Sequence, residues 1–156
     1  MMVGVGVGVS DDGNRSGYGP DLLVSGTFEM GVANAARIRV ETARTRQPLP
    51  PGGAPTPNES DTAHISRLTI SLAVLGRSLT PLMPYGGAGI GVYHATFDRS
   101  PPTSWRPGAY FHAGIEVQPA HALAIDGEVG LHVVPRTLYP EGALFGELVA
   151  RLKVKF

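Results

Sequence analysis

The chain has 156 residues, enough for one domain, with 21 Gly, 14 Pro and no Cys. Thirteen Lys and Arg offset thirteen Asp and Glu, so no basic face solicits nucleic acid and no acidic tail is present. Without Cys there are no disulfides or thiolate metal sites, and no run of about 18 apolar residues offers a transmembrane helix.

The pattern along the chain has period two, the signature of strands with two unlike faces. A first run, Met2 to Ser10, sets Val3, Val5, Val7 and Val9 against Gly4, Gly6 and Gly8. A second, Asp21 to Met30, sets Leu22, Val24, Phe28 and Met30 against Ser25, Thr27 and Glu29. The third, Ala36 to Arg46, sets Ile38 and Val40 against Arg37, Arg39 and Glu41. The fourth, His64 to Leu75, sets Leu68, Ile70, Leu72 and Val74 against Arg67, Thr69 and Ser71.

The fifth, Tyr85 to Phe97, sets Ala88, Ile90 and Val92 against Gly87, Gly89, Gly91 and Tyr93. The sixth, Gly108 to Gln118, sets Phe111, Ala113, Ile115 and Val117 against Tyr110, His112 and Glu116. The seventh, Leu123 to Val134, sets Ile125, Val129, Leu131 and Val133 against Asp126, Glu128 and His132. The eighth, Leu144 to Phe156, sets Leu148, Leu152, Val154 and Phe156 against Glu147, Arg151, Lys153 and Lys155. Soluble strands average about five or six residues, whereas a tilted membrane-crossing strand needs about nine to eleven. These runs are of the second kind.

The connections alternate in length. Short ones fall near Val32–Ala35, Arg77–Pro84 and Pro119–Ala122; long ones are Asp11–Pro20, Gln47–Ala63, Asp98–Pro107 and Pro135–Ala143. Short turns at one end and long loops at the other is the arrangement of an outer-membrane barrel, with both termini on the short-turn, periplasmic side. No secretory signal opens the chain, so this reading expects a precursor that carried one and takes Met1 as an added or relocated start.

Alternation alone does not say which face looks inward. If the apolar face pointed into a water-soluble, lipocalin-like barrel, the glycine rows would be bare exposed strand with nothing to pack. Turned outward, the apolar face meets lipid and the glycines line a lumen just wide enough for side chains to fill it. The inward set then holds Arg37, Arg39, Arg67, Arg151, Lys153 and Lys155 against Glu29, Glu41, Glu116, Asp126, Glu128 and Glu147. Charges taken out of water need partners, and equal numbers provide them. Closure places Gly4, Gly6 and Gly8 beside Arg151, Lys153 and Lys155. A turn centred on Ala33 sets Glu29 opposite Arg37, and one centred on Ala120 sets His112 opposite Glu128.

Pro84-Tyr85-Gly86-Gly87-Ala88-Gly89-Ile90-Gly91-Val92 resembles the P-Y-x-G-x-G-x-G strand of small OmpA-like outer-membrane β-barrels. Gly114-Ile115-Glu116-Val117 followed by Leu123-Ala124-Ile125-Asp126-Gly127-Glu128-Val129 resembles their next hairpin. The ending Leu148-x-Ala150-x-Leu152-x-Val154-x-Phe156 is similar to the terminal-strand signal read by the barrel-assembly machinery, with Leu152, Val154 and Phe156 as its elements and Val154 where an aromatic is common. The resemblance implies the barrel domain alone: an eight-stranded antiparallel up-and-down transmembrane barrel used for anchoring, adhesion or a narrow pore. Lipid or lipopolysaccharide and the assembly machinery are the implied partners, the chain is expected to be monomeric, and no cofactor is implied.

His64, His94, His112, His121 and His132 show no zinc-motif spacing, and the inward His112 and His132 read as hydrogen-bonded lumen histidines. Asp126 and Glu128 share a face as paired catalytic carboxylates would, and read as members of an ion-pair cluster. A lipid-modifying enzyme would need a rim triad, for which Ser104, His94 and Asp98 are the candidates. The Val-Gly repeat lacks the helix a phosphate loop requires. Tyr18, Phe97, Trp105, Tyr110, Tyr139 and Phe156 fall near strand ends, as an interfacial girdle would.

The expected protein is therefore a non-enzymatic outer-membrane barrel with a charged, closed lumen. Its polar network comprises Glu29, Arg37, Arg39, Glu41, Arg67, His112, Glu116, Asp126, Glu128, Glu147, Arg151 and Lys153. Recognition would fall to the loops. A narrow channel is the alternative, followed by a lipid-modifying enzyme and a soluble binding barrel.

Overall fold

The computed structural model describes residues 1–12, 21–49, 61–77, 81–97, 105–134 and 143–156. They form β1 (Met2–Asp12), β2 (Asp21–Ala33), β3 (Ala36–Leu49), β4 (Asp61–Leu75), β5 (Leu82–Phe97), β6 (Arg106–Ala120), β7 (Leu123–Val134) and β8 (Ala143–Lys155). Each strand pairs antiparallel with its sequence neighbour, and β1 pairs with β8 to close the barrel. Closure leaves no strand edge unpaired. The seam is tied at its end by Phe156 N donating to Met1 O at 3.0 Å.

Strands run from 11 to 16 residues, longer than the periodic runs suggest. β3 continues to Leu49 and β4 begins at Asp61, so Pro48 pairs with Thr62 inside what reads as a Pro-rich loop. A proline costs a strand its N–H but is tolerated near a strand's end. Residues 50–60, which carry most of the prolines read as a loop, lie outside the described residues.

The faces divide as the alternation requires. Val5, Leu22, Ile90, Val129 and Leu148 are each more than half exposed on the outside. Arg39, Glu41, Arg67, Glu116, Asp126, Glu128, Arg151 and Lys153 are each at most 3% exposed inside. Two small apolar clusters share the interior: Leu23 with Ala43 and Val149, and Tyr93 with Val134 and Phe145.

Register departs from the sequence expectation at two turns. Glu29 pairs with Arg39, not Arg37, because Ala33 pairs with Ala36 around the Asn34-Ala35 turn and the register shifts between Gly31 and Ala33. His112 pairs with Gly130, not Glu128, because the turn closes through Ala120 and Leu123 with a shift after Val117. At the seam, Gly4 meets Lys153 and Gly6 meets Arg151 as expected, but Gly8 meets Val149 and Lys155 meets Met2. Lys155 is exposed at the strand end and does not belong to the buried set.

Candidate functional site

The interior is where the fold concentrates its chemistry, and glycine is what admits it. A Cβ on Gly4 would lie 2.8 Å from Lys153 Cγ, and one on Gly6 2.8 Å from Arg151 Cγ, so the bare strand β1 makes room for two long cationic stems. On β5 the matching partners are rings. Gly87 pairs with His112 and Gly89 with Tyr110 across β5–β6. A Cβ on Gly114 would meet the Tyr85 ring at 2.6 Å, and one on Gly108 the Tyr93 ring at 2.7 Å.

Into that space β2, β3, β4, β6, β7 and β8 send charges of both signs. Arg37 Nη1 lies 2.8 Å from Glu116 Oε2 and 3.4 Å from Glu29 Oε2. Lys153 Nζ lies 2.8 Å from Glu29, 3.1 Å from Glu116 and 3.2 Å from Asp126. Arg39 Nε donates to Glu29 at 2.8 Å, and its Nη1 donates to Glu128 on the opposite wall. Arg151 Nη2 sits 2.5 Å from Glu41 and 2.9 Å from Glu128. Arg67 Nη2 bridges Glu41 at 2.8 Å and Glu147 at 2.6 Å.

These contacts join eleven of the twelve residues expected in the polar network, and His112 joins them through Glu128. The crossings matter most: β3 to β7 through Arg39–Glu128, β3 to β8 through Glu41–Arg151, β3 to β6 through Arg37–Glu116, and β4 to β8 through Arg67–Glu147. None of these strand pairs is adjacent in the barrel. The ion pairs therefore span the lumen as bars and do not merely line it.

With Lys155 outside, six buried carboxylates face five fixed cations: Arg37, Arg39, Arg67, Arg151 and Lys153. Tyrosine hydroxyls and histidine rings add further contacts to these carboxylates. Tyr85 donates its hydroxyl between Asp126 and Glu128, and Tyr110 donates to Glu128 at 2.5 Å. His112 Nδ1 lies 3.1 Å from Glu128 and His132 Nε2 3.2 Å from Glu147.

Sequence reasoning missed the aromatic column beside this network. His112, Tyr110, His132 and Phe145 stack face to face, with centroid spacings of 4.9, 4.4 and 4.5 Å. Tyr93 closes the column edge-on and hydrogen-bonds His132 Nδ1 at 2.8 Å. The parity of β6, β7 and β8 was the available signal, since all four rings alternate with apolar outward residues. Tyr110, expected in an interfacial girdle, is instead wholly buried, because it lies on the inward parity of β6.

The remaining girdle residues fall variously. Trp105 is 56% and Phe156 75% exposed on the outside, where Leu152 and Val154 also point. Phe97 is the last residue of β5, while Tyr18 and Tyr139 lie outside the described residues. Of the candidate rim triad, Ser104 and Asp98 also lie outside them; His94 stacks on Trp105 at 5.0 Å.

No family model and no curated protein matches the sequence. Solved structures do. Neisserial surface protein A superposes with a TM-score of 0.78 at 15% identity, covering 99% of this chain and 95% of its own. Ail, the attachment invasion locus protein of Yersinia pestis, solved in complex with the heparin analogue sucrose octasulfate, gives 0.63 at 14% identity over 99% and 95%. The N-terminal β-barrel domain of Pseudomonas aeruginosa OprF gives 0.61 at 10% identity over 97% and 96%. The chain has the fold of the small eight-stranded outer-membrane β-barrels.

Proposed function

We propose that this chain is an integral protein of a bacterial outer membrane, a non-enzymatic barrel whose lumen is closed by ion pairs and whose exposed end engages other molecules. The carrying observation is the inversion of its faces. Large apolar side chains stand exposed all round the outside, while Arg, Lys, Glu and Asp are buried within. Water would penalise the outer face, and hydrocarbon would satisfy it. Every strand's backbone is paired, as a lipid environment demands.

The fold likeness supports this placement, because its solved neighbours include outer-membrane proteins. Termini and short turns then face the periplasm. The outward Leu152, Val154 and Phe156 form the surface offered to the barrel-assembly machinery, and lipid or lipopolysaccharide surrounds the monomeric barrel. Heat-modifiable migration on a gel in mild detergent tests the reading. A folded species that stays monodisperse in water without detergent overturns it.

A narrow channel is the second reading, favoured by a polar lining that runs through Ser25, Thr27 and Glu29 along β2. Planar-bilayer recording separates the two. The transluminal bars predict no discrete openings; reproducible unitary currents from wild-type protein would replace the closed-lumen reading with the channel.

A further inference from the structure

The outward face of β3–β6 changes character over four successive rungs. Val40, Ile70, Ile90 and Ala109 share one rung, and Thr42, Leu68, Val92 and Pro107 the next. Arg44, Ser66 and His94 form the third, with Trp105 stacked on His94 at 5.0 Å. Arg46, His64 and Thr96 form the fourth. Apolar bulk thus gives way to cations, hydroxyls and rings within a few residues of the strands' long-loop ends.

The two lower rungs enclose a groove of about 840 Å³, walled by Leu68, Ile70, Ile90 and Val92 and floored where Pro107 and Ala109 are short. Its lining is almost wholly apolar. The charge above it is singular. Among the described side chains on the outward face of β3–β6 there is no carboxylate, and Arg44 and Arg46 are the only Lys or Arg. Both are exposed, and neither makes an ion pair among the described residues. Across β2, Arg44 faces Val24, which offers no counter-charge.

We propose that this sector is a binding site for a phosphorylated, multiply acylated glycolipid of the outer leaflet. The proposal rests on the membrane reading above and deepens it. An acyl chain lies in the groove over Ala109 and Pro107, and the head-group phosphate sits against Arg44 and Arg46, flanked by the His64 and His94 rungs. Guanidinium matches phosphate oxygens in a two-pronged geometry, and a long arginine lays its methylenes on apolar surface while keeping its head at the interface. An apolar groove without cations would hold any lipid. Cations without the groove would hold any anion. Their stacking on adjacent rungs selects a molecule carrying both.

The test uses the folded barrel in phosphatidylcholine nanodiscs doped with bis-phosphorylated lipid A, or with the same lipid A after enzymatic dephosphorylation. Lipid retained through extraction into mild detergent is quantified by mass spectrometry, and emission from Trp105, the chain's only tryptophan, reports the site directly. Wild type retains the phosphorylated lipid over its dephosphorylated counterpart by about tenfold. R44Q/R46Q brings that ratio close to one with heat-modifiable migration unchanged. A109F, which fills the groove floor, lowers retention of both lipids.

Equal retention of the two lipids by wild type overturns the proposal without any variant. So does an undiminished preference in a folded R44Q/R46Q. Inorganic phosphate added to plain phosphatidylcholine discs should leave Trp105 emission unchanged; a full-sized shift there would remove the groove from the site. A protein that shows no heat-modifiable band and stays monodisperse without detergent would instead sink the membrane reading beneath it, a signature distinct from every comparison between lipids.

Discussion

Arg39 on β3 and Glu128 on β7 are hydrogen-bonded across the lumen, although five strands, counted inclusively along either side of the barrel, separate their walls. Both are at most 2% exposed, so neither charge has water as an alternative partner. Arg39→Met should destabilise the barrel by about 3 kcal/mol, because it strands carboxylates that the fold has already desolvated. Glu128→Gln should be costly for the mirror-image reason. The double variant should lose less than the two single losses added, with a coupling of about 1–3 kcal/mol. Reversible urea unfolding in micelles measures all four corners, and strict additivity would mean that the bar carries no shared energy.

Gly6 and Gly127 make a matched pair for testing which face is packed. A Cβ on Gly6 would lie 2.6 Å from Ser25 Oγ and 2.8 Å from Arg151 Cγ, whereas one on Gly127 would meet nothing within 4 Å. Gly6→Ala should therefore cost about 1–3 kcal/mol through overpacking against the arginine stem. Gly127→Ala should be neutral or slightly stabilising, since it adds a methyl to an open outer surface and restricts the unfolded chain. Shifts in urea midpoint decide it; equal losses at the two sites would show that strand flexibility, not lumen space, is what glycine supplies.

The strand pattern was legible because period two is written into every run, and which residues share a face follows from it directly. Partners across strands were less legible. Moving a register by two residues keeps every side chain on its face, so parity gives no warning when a turn closes one pair later than assumed. That is why a symmetric turn pairs Glu29 with Arg37 although Arg39 stands opposite it. The error is softened by diagonal reach: Arg37 still lies 3.4 Å from Glu29, and His112 3.1 Å from Glu128. The transluminal bars were not legible, since nothing local in β3 or β7 says which far wall an arginine will touch. Nor did parity alone expose Lys155, whose strand ends before the lumen closes over it.

Phe156 separates assembly from stability. It follows the last residue of β8, is 75% exposed, and is held by its own N–H to Met1 O at 3.0 Å. Phe156→Ala keeps that backbone bond and removes a ring with little to pack against. Refolded protein should unfold at nearly the parent's urea concentration, with a change within about 0.5 kcal/mol. In cells, the amount of heat-modifiable barrel in the outer membrane should fall several-fold if the outward Leu152-x-Val154-x-Phe156 edge serves as the proposed assembly signal. Equal accumulation of the variant and the parent would remove Phe156 from that role.

Ile90 and Ile125 stand on the outward face, 68% and 47% exposed, among apolar neighbours on both adjacent strands. In lipid, Ile90→Arg or Ile125→Arg should each cost about 2–4 kcal/mol, the penalty for a cation near the bilayer centre. Thr42→Arg supplies the depth control. It sits on the outward row one rung nearer the long-loop end, next to Arg44, whose head-group level a new guanidinium reaches more easily, and it should cost less than either isoleucine change. Unfolding measured in lipid vesicles gives the three values on one scale. A fall from Ile90 to Thr42 shows that the outer face senses depth toward the long-loop end. A flat series would mean that the outer face does not sense depth, and the apolar band would then need a partner other than lipid.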